Sequence, residues 1–446
     1  MSKQLFKRKS YQKMQQWKAE SGGKSALLVE GARRVGKSTL VRQFAQQEYD
    51  SYIMIDFADL SPEVDSLLDN HLSDLNYFFI RLQLLFRTTL YERRSVIIFD
   101  EVQLKPKVRQ AIKYLVQDGR YDYIETGSLI SLKRNVQDIV IPSEEDRLQM
   151  FPMDFEEFLW ALGDEVTIPL LQQFMVNPGR LGDEAHRRLM RDFRLYMLVG
   201  GMPQAVDIFI DSNNFMQVDR MKRRILNLYA DDLHKLDASD KLRALFWAIP
   251  SSLSRQISRF QPSTVIENIK QASMQELLAV LHESMIVNIA YHSSDPNVGL
   301  ALTADRTRYK MYLADTGLFV TLAFWDKGFT DNTIYQKLLS DKLPANMGYV
   351  FENVVAQMLR TSGYELYYHT FPSPSNHYYE VDFLLSKGSK LTPIEVKSSG
   401  YNSHKSLDAF CEKYASRVAE RILLYTKDYR KDGPTICLPV YFTPLL

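Results

Sequence analysis

What the chain lacks narrows its class. It contains 2 cysteines, Cys411 and Cys437, too few for a disulfide framework or a cysteine-based zinc site. No apolar run reaches the roughly 18 residues that a membrane-spanning helix needs. Lysines and arginines interrupt the N-terminal stretch, which therefore lacks the apolar core of a signal peptide. These absences predict a cytoplasmic protein without a membrane partner.

An excess of either charge is also missing. The 55 Lys and Arg residues balance 54 Asp and Glu residues, for a formal net charge of +1. Without a global basic field, any binding to nucleic acid has to be local. One local candidate is a basic run, although such runs on helices are more often solvated faces: Arg220, Lys222, Arg223 and Arg224. The 446 residues exceed one typical core and predict about three domains.

What the chain does contain is a phosphate-binding motif. An apolar strand pattern at 26–29 leads into a loop bounded by glycines, and a helical pattern begins at Leu40. This order aims backbone N–H groups and the positive end of the helix dipole at one point, which suits a triphosphate. Lys37 is expected to reach the β- and γ-phosphates, and the Ser38 hydroxyl to bind Mg²⁺. The predicted nucleotide-binding residues of the loop are Gly31, Arg34, Val35, Gly36, Lys37, Ser38 and Thr39.

Two later strand patterns end in polar residues that suit the same site. The first ends at Asp100 and Glu101, at the carboxyl end where parallel sheets place their chemistry. Asp100 is expected to hold the Mg²⁺, and Glu101 to orient or deprotonate an attacking water. The second strand is followed by Thr126 and Ser128, whose hydroxyls are candidates to sense the γ-phosphate. A plain turn is the alternative for either hydroxyl.

The C-terminal hundred residues carry a second set of charged residues. Glu380 and Asp382 alternate with apolar residues, and so do Glu395 and Lys397 on the next strand pattern. A period of two places each pair on one side of its strand, and a hairpin would make the charges converge. Two carboxylates then hold a Mg²⁺ that activates water, and the lysine stabilises the developing anion. Glu352, on a preceding helical pattern, adds a third carboxylate.

Taken in chain order, these motifs resemble the AAA+-type P-loop ATPases of bacteria and archaea that carry a C-terminal restriction-endonuclease-like domain of the PD-(D/E)XK kind. The resemblance implies an α/β chain with four parts: a P-loop ATPase core with a parallel sheet at 1–160, a helical lid at 161–240, a winged-helix-like region at 241–330, and a restriction-endonuclease-like domain at 331–446. A helix followed by a two-stranded ribbon, at 285–290 and 309–313, also favours a winged helix.

The resemblance implies two further functional residues. Arg147, placed ahead of the last strand of the ATPase core, matches an arginine that neutralises a transferring phosphoryl group, often from a neighbouring subunit. A second copy of the chain is therefore an implied partner, and a solvated arginine is the alternative. Pro203 matches a G-x-P element whose rigid ring packs on the adenine, and a turn without a ligand is the alternative.

Two functions remain open, and a third is weaker. In one, the ATP cycle controls a metal-dependent nuclease that acts on DNA. In the other, the chain is a nucleotide-controlled switch or scaffold that recruits a partner, and its nuclease-like domain is inactive. A small-molecule kinase would leave the lid and the middle region without a role.

Overall fold

The computed structural model describes residues 5–128, 143–255, 259–327, 335–336, 339–340, 348–374, 377–398 and 403–446. Its contacts divide the chain into two compact units, Met1–Phe151 and Pro152–Leu446. Across the described residues, no helix is both long enough and apolar enough to cross a membrane. The finer division into four domains remains a prediction.

The first unit is built around a parallel sheet, as the resemblance implied. Its strands are β1 Ala26–Glu30, β2 Ser51–Asp56, β3 Ser95–Asp100, β4 Asp122–Gly127 and β5 Glu145–Gln149. Its helices are α1 Lys9–Ser21, α2 Lys37–Glu48, α3 Pro62–Asn70, α4 Leu75–Phe86 and α5 Pro106–Asp118. Strands β1, β3 and β4 are buried along their whole length, as expected for parallel strands covered on both faces.

The strand order of this sheet is β2-β3-β4-β1-β5, and every pairing is parallel. Strand β4 therefore lies between β1, which enters the phosphate loop, and β3, which ends in the acidic pair. Since the carboxyl ends of parallel strands open at one edge, Thr126 is placed between the loop and Asp100. The local sequence pattern predicted the strands. The strand order of the sheet shows which of these strands are neighbours.

The second unit contains helices and two sheets. Its helices are α6 Phe155–Ala161, α7 Thr167–Val176, α8 Asp183–Val199, α9 Pro203–Ser212, α10 Phe215–Leu236, α11 Lys241–Trp247, α12 Ile249–Ser254, α13 Gln271–Glu283, α14 Thr316–Ala323, α15 Gly348–Thr361 and α16 Lys405–Lys413. Its strands are β6 Val287–Ser293, β7 Ala304–Leu313, β8 Leu366–Pro372, β9 Tyr378–Val381, β10 Phe383–Lys387, β11 Lys390–Val396, β12 Arg421–Tyr425, β13 Arg430–Asp432 and β14 Thr435–Pro439. One sheet has the order β7-β6-β8-β9, and the other β10-β11-β12-β14-β13.

The chain passes from one of these sheets to the other at Asp382. The expectation of one continuous strand through this residue was wrong, because β9 ends at Val381 and β10 begins at Phe383. Strand β9 pairs with β8, whereas β10 pairs with β11 in an antiparallel hairpin. The Val396 backbone N–H donates to Asp382 Oδ2 at 2.7 Å. The Asp382 side chain thus fixes the corner where the chain changes sheet.

The helix and ribbon predicted for the middle region are present as α13, β6 and β7. The two strands pair in an antiparallel manner, but β6 also pairs in parallel with β8. Strand β6 is buried almost throughout, as expected for a strand with a neighbour on each side. The predicted boundary at 330/331 therefore separates strands that share one sheet, and the ribbon contributes side chains to the C-terminal region.

The basic run on α10 does not form the cationic surface that was considered. Lys222 is fully buried, and its Nζ donates to the carbonyl oxygens of Leu198 at 2.7 Å and Gly317 at 3.1 Å. Arg223 donates to Asp219 Oδ2 at 2.8 Å. Two of the four cations are thus used inside the unit, and only Arg220 and Arg224 of this run are exposed.

Candidate functional site

The phosphate-binding loop joins β1 to α2, as the motif predicted. Arg34 and Gly36 have φ angles of 70° and 100°, left-handed conformations that favour concave, anion-binding arrangements of backbone N–H groups. A Cβ added to Gly31 would lie 2.3 Å from the carbonyl oxygen of Met150, so this junction admits only glycine. The loop ends on the N-terminus of α2, where the helix dipole favours an anion.

Lys37 opens α2 and is bonded to its own loop. Its Nζ donates to the carbonyl oxygens of Gly31 at 3.1 Å and Ala32 at 3.0 Å. Burial lowers the pKa of this ammonium to about 8, and the carboxylates of Glu101 and Asp100 oppose that shift. Because its hydrogen-bond partners are neutral carbonyls, the ammonium is available to a phosphate.

Two hydroxyls converge on one carboxylate oxygen at the edge of the sheet. Ser38 Oγ donates to Asp100 Oδ1 at 2.8 Å, and Thr126 Oγ1 donates to the same oxygen. The position of β4 between β1 and β3 places the Thr126 hydroxyl there. A P-loop hydroxyl beside an aspartate at a strand end is the donor set that P-loop proteins use for Mg²⁺. The residues present therefore fit this ion.

Glu101 turns away from the end of β3 in a strained conformation. Its φ is 58°, which is uncommon for a residue other than glycine and is often found at functional sites. The Glu101 N–H donates to Thr126 Oγ1 at 3.3 Å, and Gln103 Nε2 donates to the Glu101 carboxylate. These contacts fix both ends of the residue. The sequence did not predict Gln103, which belongs to none of the motifs.

The remaining predicted contacts of the loop differ in exposure. Val35 is buried, Arg34 and Thr39 are exposed, and Ser128 is half-buried just beyond β4. Val35 therefore supports the loop from within, whereas the other three keep surface that a ligand can reach. Their contacts with a nucleotide remain predictions.

Arg147 lies inside β5, opposite Leu28, rather than ahead of the strand as predicted. Its Nε is 3.2 Å from Glu145 Oε1, and its side chain is 46% exposed. Glu145 is also held at both oxygens by Arg109, at 2.9 and 3.0 Å. Because Arg109 already neutralises Glu145 and β5 ends the sheet order, the Arg147 charge is accessible to another molecule.

Arg8 supports the loop and was missed by the sequence reasoning. Its guanidinium donates to the carbonyl oxygens of Val35 at 2.9 Å and Phe151 at 2.7 Å. The residue is 6% exposed and sits just before α1. Nothing in the basic N-terminal sequence distinguishes it from Lys7 and Lys9, so no local signal was available.

Pro203 is the first residue of α9, and its turn is tightly packed within the second unit. A Cβ added to Gly201 would lie 2.0 Å from the carbonyl oxygen of Met153. The Gly201 N–H donates to Asp315 Oδ2 at 2.5 Å. Packing thus explains the glycine without a ligand, and the contact of Pro203 with adenine remains a prediction.

The β10–β11 hairpin brings three predicted residues of the C-terminal set together. Asp382 and Glu395 are both buried, and Lys397 Nζ lies 2.6 Å from Glu395 Oε1. Burial and the neighbouring Glu352 carboxylate hold the pKa of Asp382 well above its usual range. The Lys397 side chain is 39% exposed, so it can turn toward solvent or a ligand.

A lysine that the sequence did not predict joins this set. Lys310, on β7, places its Nζ 3.4 Å from Glu352 Oε2 and in contact with Glu380 Oε1. Tyr312 Oη donates to the same Glu352 oxygen at 3.4 Å. Burial opposes the charged lysine, but the carboxylates of Glu352 and Glu380 outweigh burial and hold the pKa of Lys310 well above its usual value.

The C-terminal set has the right ligand atoms for a metal but not the right arrangement. Its carboxylates are oxygen donors of the kind that Mg²⁺ prefers. Among the residues that the structure describes, however, no group of three or more Asp, Glu, His or Cys side chains is arranged to hold a metal ion. The Lys310 ammonium occupies the oxygens of Glu352 and Glu380 instead. With Lys310 in place, Glu352 and Glu380 do not fit a divalent ion.

Comparisons with known proteins bear on the three regions separately. Residues 23–159 match the model of an AAA domain, 190–328 match a domain of unknown function (DUF8612), and 347–442 match another (DUF4143). No curated protein matches the chain. Among solved structures, the crystal structure of Cdc6p from Pyrobaculum aerophilum matches with 13% sequence identity, and the match covers 77% of this chain and 97% of that chain. Its TM-score of 0.27 is too low to establish a shared fold.

The AAA match spans the elements from β1 to α6 and includes the phosphate loop, Asp100, Glu101 and Thr126. Residues 23–159 are therefore an AAA-type P-loop domain, which confirms the prediction for this part of the chain. The two other matches carry no described activity. The restriction-endonuclease-like assignment therefore rests on the residues alone.

Proposed function

We propose that this protein binds and hydrolyses ATP in a Mg²⁺-dependent manner, and that the nucleotide cycle controls its C-terminal region. The observation that carries the proposal is the convergence of Ser38, Asp100 and Thr126 beside Glu101, on an AAA-type domain. That arrangement combines a phosphate-binding loop, a magnesium donor set and a positioned carboxylate at one edge of a parallel sheet.

Each residue has a defined part in hydrolysis. Lys37 leaves the carbonyl oxygens of its own loop and binds the β- and γ-phosphates, with the loop N–H groups. Ser38 and Asp100 would hold the Mg²⁺, which when bound would supply positive charge to the phosphate oxygens. Glu101 orients the attacking water and accepts its proton, and Thr126 holds Glu101 and Asp100 in register.

Arg147 is the proposed charge-neutralising arginine. Its exposed side chain suits a role across an interface, since an arginine on the last strand of the sheet order can reach the nucleotide of a second copy of the chain. The active form would then be a homo-oligomer, and Pro203 would close a helical lid on the adenine. A strictly monomeric active enzyme would exclude the role of Arg147 in trans.

For the C-terminal region we propose a restriction-endonuclease-like domain. The support is the antiparallel hairpin that joins Asp382 to Glu395 and Lys397, with Glu352 on the helix before it. One candidate activity is cleavage of DNA. The second is recruitment of a partner by a domain that does not cut, and the Lys310 contacts favour this second candidate.

The test of the nucleotide function is ATP turnover by the wild type and by Glu101→Gln. We expect Glu101→Gln to bind ATP normally and to lose turnover by about 10²–10⁴-fold, because it can no longer accept the proton. Lys37→Ala is expected to lose binding as well. Equal turnover in the wild type and Glu101→Gln would remove Glu101 from its role.

The test of the two C-terminal candidates is cleavage of labelled DNA with Mg²⁺. Intrinsic cleavage should disappear in Asp382→Ala and Lys397→Ala but survive in Lys37→Ala. If no DNA is cut in any nucleotide state, the scaffold candidate is favoured. DNA cleavage and ATP turnover are measured in separate assays, so the result of one does not depend on the other.

A further inference from the structure

The cation that pairs with two of the C-terminal carboxylates comes from a different part of the chain. Lys310 lies on β7, opposite Ala290 of β6, whereas Glu352 lies on α15 and Glu380 on β9. Its side chain is 6% exposed, and its Nζ also lies 5.5 Å from the centre of the Tyr368 ring. The ammonium is therefore enclosed by two carboxylates and an aromatic face.

The two lysines of the set differ in how they are held. Lys397 follows β11 and is 39% exposed, so it can move without disturbing a strand. Lys310 has a fixed position within the β6–β7 ladder, between the buried residues Tyr309 and Met311. A change of its rotamer would have to move the ammonium through packed surroundings, because the Lys310 side chain is only 6% exposed. Lys310 is thus held in the set by both its strand and its burial.

Lys310 and a divalent ion compete for these carboxylates. An oxygen ligand must approach such an ion to about 2.0–2.6 Å, and one oxygen of each carboxylate, Glu352 Oε2 and Glu380 Oε1, faces the ammonium. An ammonium and a metal ion placed a few ångströms apart in a buried site repel strongly. Meanwhile Glu395 Oε2 is buried and has no hydrogen-bond partner among the described residues, which shows that the set still has an unsatisfied acceptor.

We propose that Lys310 is a built-in counter-ion that takes the place of a divalent metal at the C-terminal carboxylates. In this arrangement the chain supplies its own cation to the set, which does not recruit Mg²⁺ or Mn²⁺. The inference deepens the proposed function, since it rests on assigning these residues to a nuclease-like site. It gives a physical reason why the domain would bind a partner and not cut.

The experiment titrates Mn²⁺ alone into the full chain, without nucleotide or nucleic acid. Bound Mn²⁺ is counted by electron paramagnetic resonance, and the melting temperature is followed in parallel. Lys310→Met keeps the length of the side chain and removes the charge. We expect this variant to bind one more Mn²⁺ per chain than the wild type, and its melting temperature to rise with Mn²⁺ while that of the wild type does not.

A matched control is Lys222→Met, which also removes a fully buried lysine from the second unit. Two of the Lys222 contacts are backbone carbonyl oxygens, so this variant should lose stability without gaining a Mn²⁺ site. The additional ion of Lys310→Met should be absent from the double variant Lys310→Met/Asp382→Asn. If Lys310→Met binds no more Mn²⁺ than the wild type, or if Lys222→Met gains as much, the proposal is wrong.

A second comparison decides the matter even where Lys310→Met does not fold. Asp382→Asn keeps an oxygen that can accept the Val396 N–H. Equal Mn²⁺ binding by the wild type and Asp382→Asn supports the proposal, whereas loss of an ion in Asp382→Asn overturns it. ATP turnover is measured separately, so a failed ATPase assignment and a failed Lys310 assignment give different results.

Discussion

Lys37 and Lys310 are both buried lysines beside carboxylates, yet their surroundings differ. Lys37 donates to neutral carbonyl oxygens of its own loop, and burial lowers its pKa to about 8. Lys310 is bonded directly to two carboxylates, which raise its pKa well above the usual value against the effect of burial. The hydrogen-bond partners, and not burial, separate the two.

This difference in hydrogen-bond partners indicates what each region can bind. A buried ammonium with neutral partners retains its attraction for an anion, and the phosphate-binding loop supplies a place for one. A buried ammonium that is paired with carboxylates already balances their negative charge. Removing the ammonium leaves those carboxylates with uncompensated charge. The first unit is thus ready for a ligand that the chain does not supply, whereas the second unit supplies its own counter-ion.

The largest expected effect comes from breaking the second arrangement. Lys310→Met should lower the free energy of unfolding of the second unit by about 3 kcal/mol, because the half-buried carboxylates of Glu352 and Glu380 lose their buried cation. Chemical denaturation measures this loss. The double variant Lys310→Met/Glu380→Gln should recover part of it, since one uncompensated charge is removed. No recovery in the double variant would contradict the charge explanation.

Lys37→Met tests the lysine of the first unit, whose hydrogen-bond partners are neutral. ATP affinity should fall about 100-fold, which corresponds to about 2.7 kcal/mol, because the phosphates lose a charge-assisted contact. Stability should change by only about 1 kcal/mol, since no carboxylate loses a direct partner. Calorimetric titration with ATP and denaturation measure the two effects. Arg42→Met, on an exposed position of α2, is the control and should change neither. A stability loss as large as that of Lys310→Met would remove the contrast.

Arg8→Met tests whether the loop depends on support from outside the motif. Two carbonyl oxygens, that of Val35 in a buried contact and that of Phe151 in a partly buried one, would lose their donor, and the first unit should lose about 1–2 kcal/mol of stability. ATP affinity should fall several-fold as the loop loosens. Lys13→Met, on the exposed face of α1, is the control for loss of N-terminal charge. Equal stability and affinity in both variants would show that Arg8 is dispensable.

The smallest effect is expected at Thr126. Thr126→Val keeps the shape of the side chain and removes the hydroxyl that contacts Asp100 and the Glu101 N–H. Turnover should fall about fivefold, or about 1 kcal/mol, with ATP affinity nearly unchanged. Thr126→Ser should restore most of the rate because it returns the hydroxyl. A Thr126→Ser variant as slow as Thr126→Val would assign the effect to packing.

The nucleotide site could be predicted because its determinants are local. A strand, a glycine-bounded loop and a helix occur within residues 26–48, and Asp100 is the last residue of a buried strand. The strand order could not be predicted, since it depends on pairings between distant segments. That order is what brings Thr126 to Asp100.

Residues supplied from a distance were missed for a related reason. Arg8 and Lys310 reach their partners across 27 or more positions of the sequence, which no local pattern records. The burial of Lys222, in contrast, could have been predicted from the sequence. Val218, Lys222, Ile225 and Tyr229 recur at helical spacing, and this spacing places Lys222 on the buried face of α10. The corner at Asp382 was missed because acidic and apolar residues alternate through it without a break.

The central claim is that this chain binds a divalent ion together with its nucleotide, and not at its C-terminal carboxylates. Mn²⁺ titration in the presence of ATP, read by electron paramagnetic resonance, tests it directly. The account predicts one bound ion per wild-type chain, weakened at least about tenfold in Asp100→Asn and unchanged in Asp382→Asn. An ion that persists in Asp100→Asn and disappears in Asp382→Asn would contradict it.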